Sequence, residues 1–382
     1  MSRDRRVDLS VIIVNFNVAS LVLECVASLE RQKFAAHDGG EGRLEILVVD
    51  NASAPQDLAC LERLPASVEL LRNGRNLGFA AANNRGIERA AGRYVCFLNP
   101  DTRVLDGALE GLLQHCYGHR KVGAVGPKIW ADDERTLLLP PADSPTLSFV
   151  LAQLVGRAIP VLGRWHALRW RDRALAFWRS RAALSVPMLS GACVLTPRSV
   201  VERVGGFDER YFLYYEDADW CRRVRRAGYG LAYVPEAEIV HLYNQSAKSD
   251  PARAGRHASD SQARFVEAHY GPPGRLLYGA ALAVSRRASG AGPPVVERGL
   301  IDLGRVVDPP PLSVDGVAPS RSCLVELAYD RLFVPSAAAF VDGGEFTLSR
   351  AVWERLQRGR YFARMIDLET LAPLALWSWE KG

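Results

Sequence analysis

The feature that most constrains the fold is a regular alternation of short apolar runs and helical stretches in the N-terminal part of the chain. Helical spacing of apolar residues is evident at 21–31 and 79–91. The apolar runs around these stretches are rich in Val, Ile and Leu: LSVIIVNFN, LEILVVDNAS, VELLRN and RYVCFLNPD. Such continuous runs are typical of parallel strands covered by helices on both faces. The sequence therefore predicts an α/β fold built on a sheet flanked by helices.

Polar residues follow three of these runs where each predicted strand ends. They are Asn15 and Asn17, Asp50 and Asn51, and Asn99 and Asp101. Ligands of open α/β sheets bind outside the carboxyl ends of the strands. We therefore expect the three strands to converge on one polar crevice.

Composition excludes some classes of partner. The net charge is +5, from 48 Lys and Arg against 43 Asp and Glu. This mild basic bias is compatible with an anionic ligand or a membrane surface but is too weak to indicate nucleic acid. The seven cysteines are scattered and form no C-x-x-C pair, so neither a disulfide framework nor a zinc site is indicated.

The ends and apolar stretches of the chain indicate its compartment. The N-terminus MSRDRRV is charged and lacks the apolar core of a signal peptide. No run approaches the roughly 18 apolar residues that would span a bilayer. With the scattered cysteines, which fit a reducing compartment, these features predict a cytoplasmic protein that could act at the inner face of the plasma membrane.

Asn99-Pro100-Asp101 is the first candidate for chemistry. By themselves these residues are turn formers. However, Asp101 ends a predicted central strand, and Pro100 restricts the backbone there. Hard divalent cations prefer oxygen ligands and commonly bridge to a diphosphate, so Asp101 predicts a Mg²⁺ or Mn²⁺ site. His241, after the apolar run AEIV, is either structural or the nitrogen ligand of the same site.

Two further positions have both a structural and a functional interpretation. Asp50 is a helix-capping or turn residue, or it accepts hydrogen bonds from a nucleobase or ribose. Gly78, in NLGFAAANNRGI, precedes a helix whose N-terminus could lie near an anionic group. The glycine-rich G-x-G-x-x-G and G-x-x-x-x-G-K-[ST] phosphate-binding motifs are absent from the sequence.

A second cluster lies in GGFDERYFLYYEDADWCRRVRRAGY. Its acidic residues followed by arginines suit an exposed helix whose charges complement the helix dipole. That interpretation leaves the aromatic run YFLYY unexplained. The run would place Glu216 and Asp217 at the rim of an apolar pocket, where a carboxylate can act as a general base.

The Arg- and Trp-rich segment 141–186 differs in composition from the sequence around it. If 167–181 is helical, one face carries Trp170, Ala174, Phe177 and Trp178. This face could enter a lipid interface while arginines contact phosphates. The alternative is that the tryptophans pack on the main domain as part of an ordinary surface helix, and the sequence leaves both interpretations open.

The remaining pattern divides the chain into parts. We expect a main domain at 1–250 that contains the 141–186 insertion, a helical extension at 251–288 and a Pro- and Gly-rich linker at 289–319. Residues 320–382 alternate apolar and polar positions between turns, as β-sandwiches do. Their ending, LxxGRYFARxxDxE followed by WSW, resembles a fibronectin type III module.

Six blocks in order resemble the family-2 glycosyltransferases with the GT-A fold, especially rhamnosyltransferase-like members. The resemblance covers 9–246 and is carried by LSVIIVNFN, LEILVVDNAS, NLGFAAANNRGI, FLNPDT, LSGACVLTPRSVVERVGGFDERYFLYYEDADWCRRVRRAGY and IVHLYNQS. It implies a Rossmann-like mixed sheet flanked by helices. It does not extend to the C-terminal module.

The resemblance also implies roles for individual residues. Asn99-Pro100-Asp101 stands where the family has its D-x-D motif, with Asn99 in place of the first carboxylate, and His241 matches a metal-ligand position. Asp217 matches the base that deprotonates the acceptor hydroxyl. The implied donor-binding residues are Asn15, Asp50, Asn76, Gly78, Asn99 and Asp101. The residues implied for the sugar and acceptor side are Ser190, Gly191, Glu216, Asp219 and Trp220.

The implied activity is inverting transfer of one sugar, with rhamnose as the first expectation, from a dTDP- or UDP-linked donor. The acceptor would be a saccharide or a polyprenyl-linked saccharide in cell-surface polysaccharide synthesis. The Q-x-x-R-W motif of processive members is not matched by Gln262-Ala-Arg-Phe265, so single additions are expected. The alternatives are a non-catalytic sugar-nucleotide or glycan-binding scaffold and a sugar nucleotidyltransferase.

Overall fold

The computed structural model describes residues 7–156, 158–242, 251–289 and 299–382. The end of the block IVHLYNQS and the first part of the predicted linker lie outside these residues. The chain divides into two compact units. The first comprises 1–129, 142–144 and 180–268, and the second comprises 130–141, 145–179 and 269–382.

The first unit is built on a mixed sheet. Its strands are β1 (Leu9–Asn15), β2 (Leu44–Asp50), β3 (Val68–Arg72), β4 (Tyr94–Leu98), β5 (Thr102–Val104), β6 (Val122–Trp130), β7 (Leu184–Ser185), β8 (Cys193–Pro197) and β9 (Gly230–His241). The strand order is β3-β2-β1-β4-β8-β6-β9-β5, with β7 paired to β9. Strands β3, β2, β1 and β4 run parallel, whereas β8 is antiparallel to β4 and β5 to β9. The predicted mixed sheet is thus confirmed.

Helices cover both faces of this sheet. They are α1 (Ala19–Glu30), α2 (Pro55–Leu61), α3 (Phe79–Arg89), α4 (Ala108–Gly118), α7 (Arg198–Val204) and α8 (Glu216–Arg226). Helices α5 (Leu147–Gly156) and α6 (Pro160–Arg179) lie between β6 and β7 in the sequence. Alternate residues of β1 enter two separate apolar clusters, Val11 and Ile13 on one face and Ile12 and Val14 on the other. A strand buried on both faces must be apolar throughout, which explains the continuous run in the sequence.

Helix α9 (Pro251–Ser289) is interrupted at Gly271, whose backbone is not helical (φ 63°, ψ −163°) and which precedes Pro272 and Pro273. Its first half, to Ala268, belongs to the first unit. This helix corresponds to the helical extension expected at 251–288. No helix of the described residues is long and apolar enough to cross a membrane.

The second unit contains the C-terminal strands and one short helix. They are β10 (Leu300–Val306), β11 (Leu312–Ser313), β12 (Ser322–Ala328), β13 (Ala337–Asp342), β14 (Glu345–Phe346), α10 (Arg350–Arg355), β15 (Gly359–Asp367) and β16 (Pro373–Lys381). The main sheet has the order β10-β16-β15-β12-β13, and β11 pairs separately with β14. Strands β10 and β11 lie in the predicted linker, so only part of 289–319 is a connection.

The packing of this sheet differs from the predicted β-sandwich. On one face, Val325 and Trp377 share an apolar cluster with Trp353 of α10 and Phe346 of β14. On the other face, Leu324 and Ile366 share a cluster with residues of α6. The sheet is therefore covered on this second face by a helix rather than by a second sheet.

The Arg- and Trp-rich segment is part of the second unit. Trp170 is 1% exposed and Trp178 4% exposed, and both pack with Leu324, Val334 and Ile366. The indole nitrogen of Trp178 donates to the carbonyl of Leu139 at 3.0 Å. The predicted lipid-facing side of 167–181 is therefore buried. Within the second unit, these tryptophans pack against the C-terminal sheet and Leu138, as the side chains of an ordinary packed helix do.

Candidate active site

The carboxyl ends of β1 and β2 carry a buried polar network. The parallel register places Asn15 beside Asp50. The Asn15 amide nitrogen Nδ2 lies 2.9 Å from Asp50 Oδ1, 3.0 Å from Ser53 Oγ and 2.7 Å from Asp57 Oδ2. Asn15 and Asp50 are 0% and 1% exposed. Asn15 therefore orients the Asp50 carboxylate, while Ser53 and Asp57 are partners that sequence patterns did not reveal.

Asn51 anchors the loop that follows β3. Its Nδ2 donates to Asn76 Oδ1 at 2.9 Å, and its Oδ1 accepts from Asn73 Nδ2 and from the Leu77 backbone, both at 2.9 Å. In the sequence, Asn51 is recognisable only as a polar residue at the end of a predicted strand. Its role was hidden because its partners lie more than twenty residues away. Asn76, one of the predicted donor-binding residues, is held in this network.

Gly78 brings that loop against the segment before α8. Its φ of +87° lies in the left-handed region, and a Cβ there would lie 2.5 Å from the Phe212 carbonyl oxygen. The backbone N–H of Phe79 donates to the same oxygen at 2.8 Å. The predicted anion site at the start of α3 thus has its first N–H occupied by the protein. The close approach of two backbones requires glycine at residue 78, and the donor-binding role of Gly78 stays a prediction.

Asp101 and His241 meet at the pairing of β5 with β9. Thr102 lies opposite His241, and the Leu242 N–H donates to the Asp101 carbonyl at 2.9 Å. As a result, His241 Nε2 lies 3.1 Å from Asp101 Oδ1 and 3.3 Å from Asn99 Nδ2. Asp101 is 5% exposed and His241 7% exposed. The three predicted side chains are therefore together.

These side chains suit a divalent cation whose coordination is completed by a ligand. Among the described residues, no three His, Cys, Asp or Glu side chains form a group that could hold a metal ion, and here the third side chain beside Asp101 and His241 is the Asn99 amide. A carboxylate and an amide oxygen are hard ligands that Mg²⁺ and Mn²⁺ accept, and imidazole binds Mn²⁺ as well. A site with few protein ligands leaves positions for phosphate oxygens. The residues thus fit such a cation.

Asp217 at the start of α8 is oriented by the backbone. Its Oδ2 accepts from the Gly191 N–H at 3.0 Å, and its Oδ1 accepts from the Ala218 N–H at 2.7 Å. A Cβ at residue 191 would lie 2.9 Å from Oδ2, so only glycine leaves room for this carboxylate. Burial raises the pKa of Asp217 above its ordinary value, although the backbone donors oppose that shift. A carboxylate with a raised pKa is a stronger base.

Glu216 is a second carboxyl group beside Asp217. The residue is 5% exposed, and its Oε2 has no hydrogen-bond partner in the structure. Burial, and secondarily the charge of Asp217, raises the pKa of Glu216 well above its ordinary value. Asp217, with two N–H donors, is the member of the pair on which a negative charge is better stabilised.

The other residues predicted for the acceptor side fall into two groups. Ser190 precedes Gly191 next to Asp217, and its Oγ accepts from the Ala192 N–H at 3.3 Å. Asp219 is instead 4% exposed and paired with Arg223 Nε at 2.7 Å. Trp220 is 1% exposed and its indole N–H donates to the Gly205 carbonyl at 3.0 Å. Both residues therefore have partners that stabilise the fold around α8, and their place on the acceptor side stays a prediction.

The segment before α8 has an unusual backbone that the sequence did not predict. Tyr214 and Tyr215 both have positive φ, 67° and 69°. The first half of α9 holds this segment, because Gln262 Nε2 donates to Tyr215 Oη at 2.6 Å and Ser261 Oγ donates to the Leu213 carbonyl at 2.9 Å. Such strain persists where surrounding contacts fix it and is common at functional sites.

Backbone pairing connects these parts into one site. Leu98 lies opposite Cys193, and the Asn99 N–H donates to the Ala192 carbonyl at 2.9 Å. Ala192 follows Gly191, the partner of Asp217. Asp101 therefore follows the end of β4 that pairs with the start of β8, and Asp217 contacts the residue pair just before β8.

The sequence of the chain is similar to known glycosyltransferases. Over 239 residues it is 35% identical to the N-acetylglucosaminyl-diphospho-decaprenol L-rhamnosyltransferase of Mycobacterium tuberculosis, covering 57% of this chain and 74% of that protein. It is 24% identical to the low-salt glycan biosynthesis hexosyltransferase Agl10 of Haloferax volcanii, covering 61% of this chain and 67% of that protein.

A solved structure is also similar. The mannosyltransferase PcManGT from Pyrobaculum calidifontis, in complex with GDP-Man and Mn²⁺, superposes with a TM-score of 0.48 at 19% identity, and the match covers 75% of each chain. The family model described as glycosyl transferase family 2 matches residues 10–205, which include Asn15, Asp50 and Asp101. The extent of this match, together with the identity to the mycobacterial enzyme over most of its length, shows that the chain belongs to glycosyl transferase family 2.

Proposed function

We propose that this family 2 glycosyltransferase transfers single sugars with inversion of configuration, using Asp217 as the base. The environment of the Asp217 carboxylate supports this proposal most directly. It is fixed by two backbone N–H donors, has a raised pKa, and is joined through Gly191 and Ala192 to the segment after β4 that carries Asn99 and Asp101. These contacts support a base and a phosphate-binding site that are connected through the backbone.

The donor is proposed to bind at the edge formed by β1, β2 and β4. Asp50, oriented by Asn15, would accept hydrogen bonds from the base or ribose. Asp101 and His241, with the Asn99 amide, would hold a Mg²⁺ or Mn²⁺ ion. Such an ion offsets the negative charge that develops on a departing diphosphate. The pairing of β5 with β9 fixes the positions of Asp101 and His241, the two residues that would bind the ion.

The acceptor hydroxyl is proposed to bind beside Asp217. Asp217 Oδ2 or Oδ1 takes the hydroxyl proton as the oxygen forms a bond to the anomeric carbon and the bond to the nucleoside diphosphate breaks. Attack from the face opposite the leaving group inverts the configuration. Glu216 lies next to Asp217 in the sequence, and its buried carboxyl group is proposed to support the base from within the fold.

The substrates are proposed from the relatives. The mycobacterial relative is named as a rhamnosyltransferase that acts on N-acetylglucosaminyl-diphospho-decaprenol. By analogy, we propose a dTDP- or UDP-linked donor, with rhamnose as the first sugar to test, and a polyprenyl-linked saccharide acceptor in cell-surface polysaccharide synthesis. The seven free cysteines fit a reducing compartment, so we place the reaction at the cytoplasmic side of the membrane.

The test is a product analysis with purified full-length protein. It is incubated with dTDP-rhamnose, UDP-N-acetylglucosamine or GDP-mannose, Mn²⁺, and a polyprenyl diphospho-N-acetylglucosamine acceptor. We expect one donor to yield nucleoside diphosphate and a glycoside of inverted anomeric configuration by NMR. Retained configuration would contradict the base assignment, release of pyrophosphate would indicate a nucleotidyltransferase, and binding of a donor without turnover would favour a scaffold.

A further inference from the structure

The exposed apolar side chains of the described residues are concentrated in one of the two units. The large hydrophobic residues that are exposed all lie in the second unit, which does not carry the site described above. Most of them occur on α6 and just before it, and on the second half of α9: Ile159, Val161, Leu162, Trp165, Leu168, Leu276, Leu277 and Val284. Isolated exposed apolar residues are common, whereas a group of them marks an interaction surface.

Helix α6 has two apolar faces, and only one of them is buried within the second unit. Trp170, Ala174 and Trp178 are buried against the C-terminal sheet. Val161, Trp165 and Leu168 follow one another at helical spacing and are 78%, 55% and 42% exposed. Residues spaced by three and four lie on the same side of a helix. The exposed face is therefore continuous and separate from the face that stabilises the fold.

These residues are presented at the tip of a helical hairpin. Helix α5 ends at Gly156 and α6 begins at Pro160. A Cβ at Gly163 would lie 2.4 Å from the Gly156 carbonyl oxygen, so the two helices approach through glycines. Ile159, between the helices, is 43% exposed. The close contact holds the tip narrow and fixes the orientation of its apolar residues.

Arginines lie beside the apolar tip and further along α6. The exposed charged residues of α6 are Arg164, Arg169, Arg173 and Arg179, against one aspartate, Asp172. The guanidinium of Arg169 lies 4.9 Å from the centre of the Trp165 ring. Arginines beside tryptophan and aliphatic residues suit the boundary between acyl chains and anionic headgroups, where the stem is apolar and the head contacts phosphate. This charge favours a membrane over a neutral protein surface.

We propose that this tip docks the protein on a bilayer that contains anionic phospholipid. The docking face is defined as Ile159, Val161, Leu162, Trp165 and Leu168 with Arg164 and Arg169. Its apolar side chains enter the headgroup region while the two guanidinium groups bind lipid phosphates. This contact goes beyond the proposed transfer reaction and does not depend on it, because lipid binding is measured without any sugar nucleotide.

The first test is co-sedimentation of the full-length protein with vesicles of phosphatidylcholine alone or mixed with phosphatidylglycerol. We expect binding to the mixed vesicles that weakens with added salt. The variant Val161→Glu/Trp165→Glu should bind at least about tenfold more weakly, because it places charges where apolar side chains enter the interface. The matched control is Val307→Glu, since Val307 is 75% exposed in the same unit but lies outside the docking face.

The second test uses Trp165 as a reporter. Trp165 is 55% exposed, whereas Trp170, Trp178, Trp220, Trp353, Trp377 and Trp379 are buried. Brominated phosphatidylcholine in the mixed vesicles should quench the fluorescence of the native protein. Trp165→Phe, which keeps the apolar character, should still sediment but lose most of that quenching. Far-ultraviolet circular dichroism of each variant verifies that the fold is intact.

Three results would overturn the proposal. One is a failure of the native protein to sediment with the mixed vesicles. Another is equal binding by Val161→Glu/Trp165→Glu and Val307→Glu. The third is a dimer, detected by light scattering, that the double substitution dissociates while no lipid binding is found, because the face would then be covered by a second copy of the chain.

Discussion

The backbone N–H of Gly191 donates to the Asp217 carboxylate in a gap that no larger residue would leave open. The two residues belong to different parts of the sequence, and the contact sets where the proposed base lies relative to β8. It also explains how Asp217 can carry a negative charge although burial raises its pKa. The Gly191 N–H stabilises the carboxylate, whereas burial destabilises it.

Gly191→Ala should displace the base. The added Cβ would lie 2.9 Å from Asp217 Oδ2, so the carboxylate must move. We expect turnover to fall by about ten- to a hundredfold, because small displacements of a reacting group have large effects on rate. Steady-state kinetics with the identified donor provide the measurement. Gly118→Ala is the control, since a Cβ at Gly118 meets nothing within 4 Å, and an equal loss in both variants would contradict the prediction.

Asp217→Asn should remove the base and retain the fold. Nucleotide binding should stay near that of the native protein, while turnover should fall at least about a hundredfold. The native enzyme should lose activity as pH falls through the pKa of Asp217, which burial raises, because the protonated carboxyl group cannot accept the acceptor proton. That acidic limb should be missing from the residual activity of the variant. A smaller loss, or an unchanged pH profile, would exclude Asp217 as the base.

Glu216→Gln should change how stability depends on pH. The native folded state keeps the Glu216 proton to higher pH than the unfolded chain does, because burial raises the pKa of this group well above 4.5. The stability of the native protein should therefore decrease as pH rises from about 4.5 through the raised pKa. Gln carries no charge, so the variant should show a flatter decrease and be at least as stable at alkaline pH.

Thermal unfolding across this pH range measures the effect of Glu216→Gln. Glu202→Gln is the matched control, because Glu202 is exposed on α7. The prediction fails if both variants follow the native pH dependence. A residual slope is expected in Glu216→Gln, since the pKa of Asp217 is also raised and acts in the same direction.

Asp101→Ala should abolish the metal-dependent part of nucleotide binding. In the native protein, we expect a nucleoside diphosphate to raise the unfolding temperature more in Mn²⁺ than in EDTA. Without the Asp101 carboxylate, the apparent affinity in Mn²⁺ should fall about tenfold or more and approach the value in EDTA. Asp106→Ala serves as the control, because Asp106 is exposed nearby. A preserved Mn²⁺ effect in Asp101→Ala would remove this residue from the cation site.

The pattern of apolar and polar residues along the sequence was sufficient to predict the parallel part of the first sheet. Apolar runs between helical stretches predicted the parallel strands β1 to β4, because a strand buried on both faces must be apolar at every position. The polar residues at their ends predicted the edge where Asn15, Asp50 and Asp101 lie, since parallel strands end at the same edge. The residues around Asp217 and His241 only suggested a base and a metal ligand, and the resemblance to the family assigned those roles.

Only the tertiary structure decided which residues touch. It placed Gly78 against Phe212 and Gly191 against Asp217, contacts across more than twenty residues that no sequence period records. It also buried Trp220 and Asp219 in the fold, and turned Trp170 and Trp178 toward the C-terminal sheet while leaving Trp165 exposed. The sequence determines that a helix has apolar faces; which face is covered depends on the partner it packs against, and that is a property of the folded chain alone.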